Sequence, residues 1–143
     1  MKTLTIAPRK TFEEILKFMP IPTFDLILFY PDKSFILVKR KIEPYKNVWA
    51  LPGLRMYKSE TIDNTLTRIA KQEIGITINP NNKLLIDQYV GKFQTEHSRQ
   101  DISTCYAIEI PTNQIVTLNN NHFSSYQITD KVPSRIGAMY KHY

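Results

Sequence analysis

The chain has 143 residues, a length that suits one domain with a hydrophobic core and excludes two comfortable ones. Its apolar share of 42% excludes wholesale disorder, and its one cysteine, Cys105, excludes an intrachain disulfide. Because Cys105 lies in a stretch of alternating apolar residues, we expect a buried thiol in a reducing compartment.

The net charge of +6 favours anionic partners, either nucleic acid or small phosphorylated ligands. The basic residues are scattered, apart from a run at residues 39–41, which favours a focused anion site over an extended nucleic-acid face. No apolar run approaches membrane-spanning length, and residues 1–17 lack the layout of a signal peptide. We therefore expect a cytoplasmic protein that binds neither nucleic acid nor a membrane.

The N-terminal segment predicts a short helix. Thr11 and Glu14 form a capping-box pattern, with Thr11 as the N-cap, which opens a helix over residues 12–19. Pro20 lacks a backbone N–H and therefore ends this helix.

A β-hairpin is predicted next. Residues 21–30 form a buried strand that one charged residue, Asp25, interrupts. Residues 31–34 carry turn-forming side chains, and residues 35–41 return as a second strand. Because an unpaired buried carboxylate is costly, Asp25 is a candidate functional residue.

Residues 61–74 give the clearest helical pattern. Thr61 is the predicted N-cap, Gly75 ends the helix, and Ile62, Leu66 and Ile69 define its core-facing stripe. At about 100° per residue, Glu73 falls about 20° from Ile62, near the centre of that stripe. Glu73 either meets a partner inside the protein or lies past the core edge and reaches water.

The remaining elements are three strands and a terminal helix. We expect strands at residues 83–93, 102–110 and 123–129, and a helix at residues 132–143. In the second of these strands one face carries Ile102, Thr104, Tyr106, Ile108 and Ile110. A hairpin, a helix, more strands and a final helix predict one domain over residues 1–143, an α/β/α sandwich around a mixed central β-sheet.

The segment from Trp49 to Ile76 resembles a Nudix box with its approach, Trp-x-x-Pro-Gly. The box itself covers residues 54–76, and its spacing holds throughout. The positions that match are Glu60, Arg68, Ala70, Glu73, Gly75 and Ile76. The positions that depart are Leu54, Ile69 and Gln72.

The departures change the chemistry that this resemblance implies. Nudix enzymes use several carboxylates on the box helix to hold Mg²⁺ ions that activate a water for attack on phosphorus. Ile69 and Gln72 cannot bind a metal in that way, which leaves Glu73 as the anionic ligand of the helix. A Mg²⁺ ion held by one carboxylate suits neutralisation of a departing diphosphate better than production of hydroxide.

The same two losses are typical of one branch of the family, the GDP-mannose mannosyl hydrolases, which attack the anomeric carbon of the sugar. Further segments resemble that branch: residues 24–26, 39–40 with Pro44 and Trp49, Arg55, Glu96 with His97, and 101–106. In the last of these, Cys105 replaces a histidine of the branch. The resemblance implies a nucleotide-sugar hydrolase that forms a homodimer.

Carried over residue by residue, the resemblance assigns roles in the site. Glu73 and the carbonyl of Gly53 would bind Mg²⁺, and Arg40 and Arg55 would hold the diphosphate and stabilise the leaving group. Two further side chains would assist, Tyr106 by a hydrogen bond to phosphate and Asp25 within the pocket. His97 would contact substrate, although its polar loop at residues 94–100 also fits a surface histidine.

The general base depends on how the loop before the last strand is aligned. The branch uses a Gln-His pair there, with Gln on the metal and His on water. Counting back from Tyr126 puts His122 at the Gln position and Phe123 at the His position. One inserted residue instead makes His122 the base and places Asn121 beside the metal, and this second alignment is the one we favour.

Three functions are therefore open. The first is Mg²⁺-dependent hydrolysis of a nucleotide sugar, GDP-mannose above all. The second is an atypical pyrophosphohydrolase that attacks phosphorus, and the third is a catalytically weak module that senses a ligand. In all three, Arg68 and Glu60 are expected to form a structural ion pair that braces the loop.

Overall fold

The computed structural model describes residues 5–42, 46–94 and 97–143. Its helices are α1 (Arg9–Phe18), α2 (Ile62–Ile74) and α3 (Ala138–His142), with a short 3₁₀ helix at Pro80–Asn82. Its strands are β1 (Ile21–Phe29), β2 (Phe35–Arg40), β3 (Trp49–Ala50), β4 (Gly53–Arg55), β5 (Leu84–Lys92), β6 (Gln100–Glu109) and β7 (Phe123–Thr129). None of the helices in these ranges is long and apolar enough to cross a membrane.

Strand β1 lies at the centre of one mixed sheet. It runs parallel to β6 along its whole length, from Ile21 opposite Asp101 to Phe29 opposite Glu109. It is antiparallel to β2 and β4, and the strand order is β3-β2-β1-β6-β5, with β7 added to β2. The predicted fold class, a mixed sheet covered by helices, is confirmed.

The predicted hairpin turn forms between β1 and β2. Tyr30 donates its backbone N–H to the carbonyl of Ser34 at 2.8 Å, and Lys33 adopts a left-handed conformation with φ of 73°. The Asp32 carboxylate accepts hydrogen bonds from the backbone and hydroxyl of Ser34. These local bonds explain why residues 31–34 read as a turn in the sequence.

Helix α1 begins three residues before the predicted start. The carbonyl of Pro8 accepts the backbone N–H of Phe12 at 2.9 Å, so Thr11 lies inside the helix and not at its N-cap. Pro8 suits this end because its fixed φ precedes a helix without strain. Met19, the residue before Pro20, is extended, as the clash with a following proline ring requires.

Helix α2 has the predicted ends. The Thr61 hydroxyl accepts the backbone N–H of Asn64, whose side chain reaches back to Thr61, and Gly75 is left-handed with φ of 68°. A Cβ at Gly75 would lie 2.9 Å from Thr117, so glycine is required there for two reasons. On the face that packs on the sheet, Glu73 is 1% exposed, whereas Ile62 in the first turn is 38% exposed.

The prediction of a helix over residues 132–143 is wrong for its first half. Trp49 donates its backbone N–H to the carbonyl of Arg135 and accepts the N–H of Gly137, at 2.8 and 3.2 Å. Since these backbone groups pair with β3, they cannot form helical hydrogen bonds. Only Ala138–His142 becomes helical.

Side chains of β6 alternate between two faces as predicted, but in the first half of the strand the more buried face is the one opposite Ile102 and Thr104. Asp101, Ser103 and Cys105 are buried, whereas Ile102 is 39% exposed. The buried thiol expected at Cys105 is confirmed. Parallel pairing with β1 sets this outcome, because it places Ser103 beside Thr23 and Cys105 beside Asp25.

Candidate functional site

A cavity of about 270 Å³ opens between α1, α2 and the sheet. Its lining is rich in ionisable side chains of both signs, which is typical of a site for a charged ligand. The charged residues on its wall are Arg9, Asp25, Arg40, Arg55, Glu73, Arg99 and Asp101, with His122 beside them. Of the residues predicted for the site, the structure brings Asp25, Arg40, Gly53, Arg55, Glu73 and His122 together here.

Glu73 is held inside the protein by a histidine. Both of its carboxylate oxygens lie 2.9 Å from Nδ1 of His122, and the amide of Asn119 lies 3.4 Å from Oε1. With a side chain that is 1% exposed, Glu73 does not reach water past the core edge. The alternative in which it has an internal partner is therefore the correct one.

The two ring nitrogens of His122 have different surroundings, since Nδ1 contacts Glu73 and Nε2 does not. A carboxylate only accepts hydrogen bonds, so Glu73 pairs with a His122 ring that is protonated at Nδ1, and in the neutral form of that ring Nε2 keeps its lone pair. The His122 side chain is 30% exposed and lines the cavity. This geometry makes His122 a neighbour of the predicted metal ligand and, through Nε2, still able to accept a proton.

The amide beside Glu73 belongs to Asn119 and not to Asn121. Asn121 is exposed, and its backbone N–H donates to the Asn119 side chain at 3.1 Å. The backbone N–H of His122 donates to the carbonyl of Asn119 and closes a tight turn. This turn brings Asn119 next to the side chain of His122. The placement predicted for Asn121 beside the metal is thus not supported.

Asp25 is the second carboxyl group buried in the cavity wall. It is 3% exposed, and its Oδ2 accepts a hydrogen bond of 2.5 Å from the hydroxyl of Ser103. Burial raises the pKa of Asp25 to about 7, against the lowering effects of Ser103 and of the Arg40 charge. The carboxyl group therefore exchanges its proton near neutral pH.

Because Gly53 has no side chain, the carboxyl group of Asp25 can occupy the space beside it. A Cβ at this position would lie 2.1 Å from Oδ1 of Asp25 and 2.7 Å from the carbonyl oxygen of Phe24. Both distances are far below van der Waals contact, so no other residue fits without moving the strand pair β1–β4. The Pro-Gly pair of the sequence therefore has a steric reason as well as the metal-binding role that the resemblance implies.

The guanidinium group of Arg55 lies over an aromatic ring supplied by α1. Its guanidinium carbon is 3.8 Å from the centroid of Phe12, a cation–π contact. Burial and the neighbouring charges of Arg99, Arg9 and Arg68 lower the pKa of Arg55. Among the described residues no carboxylate forms an ion pair with Arg55, so this guanidinium is available to a ligand anion.

Four residues of the wall, namely Phe12, Arg9, Arg99 and Asp101, were not among the residues predicted for the site. Arg9 and Arg99 lie 5.7 and 5.8 Å from the Phe12 ring, and Arg99 pairs with Asp101 at 2.6 Å. Phe12 was predicted only as a helix residue. Asp101 belongs to the segment 101–106 that resembles the mannosyl hydrolase branch, but only its place opposite Ile21 in the parallel pair β1–β6 brings it to this wall.

Tyr106 and His97 do not line this cavity. Tyr106 lies on the opposite face of β6 from Ser103, and its ring stacks on Phe24 with centroids 6.3 Å apart. His97 is exposed and left-handed, with φ of 62°. The contacts predicted for them with substrate are therefore not supported at this cavity. Glu96 and Pro44, which carried part of the resemblance, lie outside the described residues.

The ion pair expected between Arg68 and Glu60 forms and is structural. Two guanidinium nitrogens of Arg68 contact the two carboxylate oxygens of Glu60, at 2.7 and 2.9 Å. Arg68 also donates to the carbonyl of Arg55 at 2.7 Å. This bidentate pair fixes the strand that carries Arg55 against the start of α2.

The donor set fits a divalent cation that has few protein ligands. The described residues contain no cluster of three His, Cys, Asp or Glu side chains placed to hold a metal. Ile69 is buried in the core, and Gln72 is exposed and hydrogen bonds to Arg68, so neither adds a ligand. The buried carboxylate of Glu73 and the cradle at Gly53 remain, with oxygen donors of the kind that Mg²⁺ and Mn²⁺ prefer.

Known proteins resemble this chain in sequence and in fold. The low-salt glycan biosynthesis protein Agl8 of Haloferax volcanii is 27% identical over 101 residues, which cover 71% of this chain and 60% of Agl8. This chain thus spans less than two thirds of that curated relative.

Two solved structures show the same fold. A MutT NUDIX hydrolase from Burkholderia pseudomallei superposes with a TM-score of 0.76 at 16% identity, over 87% of this chain and 95% of that one. A bifunctional NMN adenylyltransferase/ADP ribose pyrophosphatase from Francisella tularensis, complexed with AMP and a Mn ion, superposes with a TM-score of 0.57 at 21% identity. That match covers 87% of this chain and 36% of the other.

The NUDIX domain model matches residues 19–131, which is most of the chain and includes every cavity residue from β1 to the loop before β7. The box spacing, the mixed sheet and the placement of Glu73 agree with this match. The chain belongs to the NUDIX domain family.

Proposed function

We propose that this protein hydrolyses a nucleoside diphosphate sugar with the help of a divalent cation, and that GDP-mannose and Mg²⁺ are the first substrate and metal to test. The observation that carries the proposal is the position of Glu73. It is the one carboxylate of α2 that lines the cavity, and Arg40 and Arg55 line the same cavity.

One carboxylate on the box helix favours attack on the sugar. Activation of a water on phosphorus uses metal ions held by several carboxylates, and here the corresponding positions are the buried Ile69 and the exposed Gln72. The guanidinium groups of Arg40 and Arg55 would stabilise the departing nucleoside diphosphate, together with the positive charge that a bound cation would supply. Water then attacks the anomeric carbon, and the bond from that carbon to the phosphate oxygen breaks.

Glu73 and the carbonyl of Gly53 would hold the cation, which neutralises charge on the diphosphate when bound. A carboxylate has about four acceptor positions, so Glu73 can accept the bond from His122 and still bind a cation. His122 would accept the proton of the attacking water at Nε2, because its Nδ1 is held by Glu73. Asp25 and Arg40 line the same wall, where the Arg40 charge favours the ionised form of Asp25.

Two relatives support a nucleotide sugar as the substrate class, one through the sugar and one through the nucleotide. The Haloferax relative is a glycan biosynthesis protein, which agrees with a sugar-containing substrate. The Francisella structure, of which the match covers 36%, contains AMP and a Mn ion, which agrees with a nucleotide-derived substrate and a divalent cation.

A second candidate function is pyrophosphohydrolysis, in which water attacks phosphorus. The Francisella relative is described as an ADP ribose pyrophosphatase. For such a substrate, Arg40 and Arg55 of this cavity would bind the diphosphate as they would in a nucleotide sugar. The third candidate is ligand sensing without turnover, for which tight binding of a nucleotide sugar would be the positive evidence.

Hydrolysis in ¹⁸O-labelled water separates the three functions. The protein is incubated with GDP-mannose, with ADP-ribose as the second substrate, in the presence of Mg²⁺ or Mn²⁺. Label in mannose supports attack on carbon, and label in a phosphate product supports the pyrophosphohydrolase. Binding without any turnover of either compound, measured by calorimetry, would refute both enzymatic proposals and favour the sensor. Sedimentation in the same buffer tests the homodimer that the resemblance implies.

A further inference from the structure

A chain of hydrogen bonds links the buried carboxyl group of the cavity wall to a tyrosine beyond α3. The hydroxyl of Tyr143 lies 2.7 Å from Oγ of Ser103 and 3.1 Å from the Ser103 carbonyl oxygen. Ser103 in turn donates to Oδ2 of Asp25 at 2.5 Å. Ser103 is fully buried, so water cannot replace either partner.

Tyr143 determines which group donates and which accepts in this series of hydrogen bonds. A phenol that donates to Oγ occupies one lone pair of Ser103 and leaves the serine proton for Asp25. Burial raises the pKa of Tyr143, which therefore stays protonated and remains a donor at neutral pH. Without this donor, Ser103 could turn its hydroxyl away and accept a bond from a protonated Asp25 instead.

Asp25 is thereby fixed at both of its oxygens. Oδ2 is bound by Ser103, and Oδ1 lies against Gly53, where even a methyl group would not fit. The carboxyl plane is therefore determined by one hydroxyl and one steric wall, and Tyr143 determines the hydroxyl. Removal of the Tyr143 hydroxyl keeps the steric constraint at Gly53, but it leaves the Ser103 hydroxyl free to turn away from Asp25.

The backbone around α3 is fastened to the sheet. Residues 135–137 exchange hydrogen bonds with Trp49 in β3, and Tyr140 of α3 lines the cavity. Tyr143 is thus presented to Ser103 by a segment that also contacts the site itself. A side chain that served only to fill space would not need its hydroxyl at 2.7 Å from a buried polar atom.

We propose that Tyr143 is a positioning residue of the reaction, which acts through Ser103 to hold Asp25 in the orientation that the transition state requires. This inference rests on the proposed hydrolysis of a nucleotide sugar. It assigns a part of the activity to a residue outside the family match, which ends at residue 131.

The first test is Tyr143→Phe, which removes one oxygen and keeps the ring. We expect kcat for GDP-mannose to fall roughly tenfold while KM stays within about twofold, because the lost interaction matters only in the transition state. Tyr126→Phe is the matched control, since Tyr126 is exposed on β7 and does not line the cavity. It should keep the wild-type kcat.

The second test is a double-mutant cycle with Ser103→Ala. If Tyr143 acts through Ser103, then Tyr143→Phe has no further effect on kcat in the Ser103→Ala background, whereas two independent effects would multiply. A readout without substrate comes from the carboxyl ¹³C resonance of Asp25, which should move in Tyr143→Phe and not in Tyr126→Phe. If Ser103→Ala fails to fold, the comparison of Tyr143→Phe with its control still decides.

Failure of the inference differs from failure of the proposed function. A wild-type protein that turns over GDP-mannose, with a Tyr143→Phe variant of equal kcat, would overturn the positioning role alone. A multiplicative cycle would do the same. A wild-type protein without hydrolytic activity would refute the function, and the positioning role with it.

Discussion

The two walls of the cavity hold their buried carboxyl groups in opposite ways. On the helix wall, Glu73 faces His122, a titratable base that is partly exposed to the cavity. On the sheet wall, Asp25 faces the hydroxyl of Ser103 and behind it Tyr143. Both carboxyl groups are buried, and burial raises the pKa of Asp25 to about 7. The comparison shows two kinds of partner for a buried carboxyl group: a nitrogen base for Glu73, and a network of hydroxyl groups for Asp25, whose proton exchanges near neutral pH.

The largest effect is expected from Glu73→Gln, which removes the charge of the helix wall. We expect kcat to fall about 10³-fold, because the amide binds a divalent cation poorly and no other carboxylate of α2 lines the cavity. Turnover of GDP-mannose and Mn²⁺ titration measure the two consequences. The control is Glu109→Gln, at an exposed position of β6. Unchanged turnover in Glu73→Gln would remove Glu73 from the site.

His122→Gln tests whether the partner of Glu73 takes part in proton transfer. A loss of about 10²-fold in kcat is expected, as for other general bases. The matched control is His142→Gln, because His142 also contacts a carboxylate, Asp87, but on the surface at 2.9 Å. Equal activities of the two variants would mean that His122 only supports Glu73.

The sheet wall predicts a dependence of stability on pH. The folded-state pKa of Asp25, about 7, lies above its unfolded value of 3.8, so the contribution of this group is fully present below pH 3.8 and is lost as pH rises through 7. Between pH 5 and pH 8 the wild type should therefore lose about 2 kcal/mol relative to Asp25→Asn. Urea unfolding without added metal measures both proteins. Parallel pH profiles would contradict a buried, proton-binding Asp25.

The smallest effect is expected at the end of the helix wall, in Thr61→Ala. The hydroxyl of Thr61 caps α2 through the backbone N–H of Asn64, and its loss costs about 1 kcal/mol of unfolding free energy. Thr67→Ala is the control, since Thr67 is exposed and bonds only within the helix, to the carbonyl of Asp63. A larger loss in the control would show that the cap contributes little.

The helix wall could be predicted from the sequence because its signals are local. Thr61, Gly75 and the spacing to Glu73 lie within one continuous segment, and capping and helical periodicity act over a few residues. The resemblance then assigned Glu73, Gly53, Arg40 and Arg55 to one site, and the structure places all four on one cavity.

The sheet wall could be predicted only in part because its register is non-local. Asp25 was identified by its charge within an apolar strand, but Ser103 and Asp101 meet it only through the parallel pairing of β1 with β6. The same pairing turns Tyr106 to the other face, which strand alternation alone could not determine. In the loop before β7, a tight turn brings Asn119 to Glu73 where the linear alignment had placed Asn121.

The long sequence separations across the cavity have a consequence for how the protein acquires its site. Ser103 and Asp25 are 78 positions apart, and His122 and Glu73 are 49 apart. Helix α2 can therefore form early from local contacts, whereas the binding site is complete only when the most distant contacts have closed, which is the slow part of folding. A ligand of this cavity would bind the finished fold alone. It would accordingly protect the whole chain from proteolysis, by an amount that grows with ligand concentration.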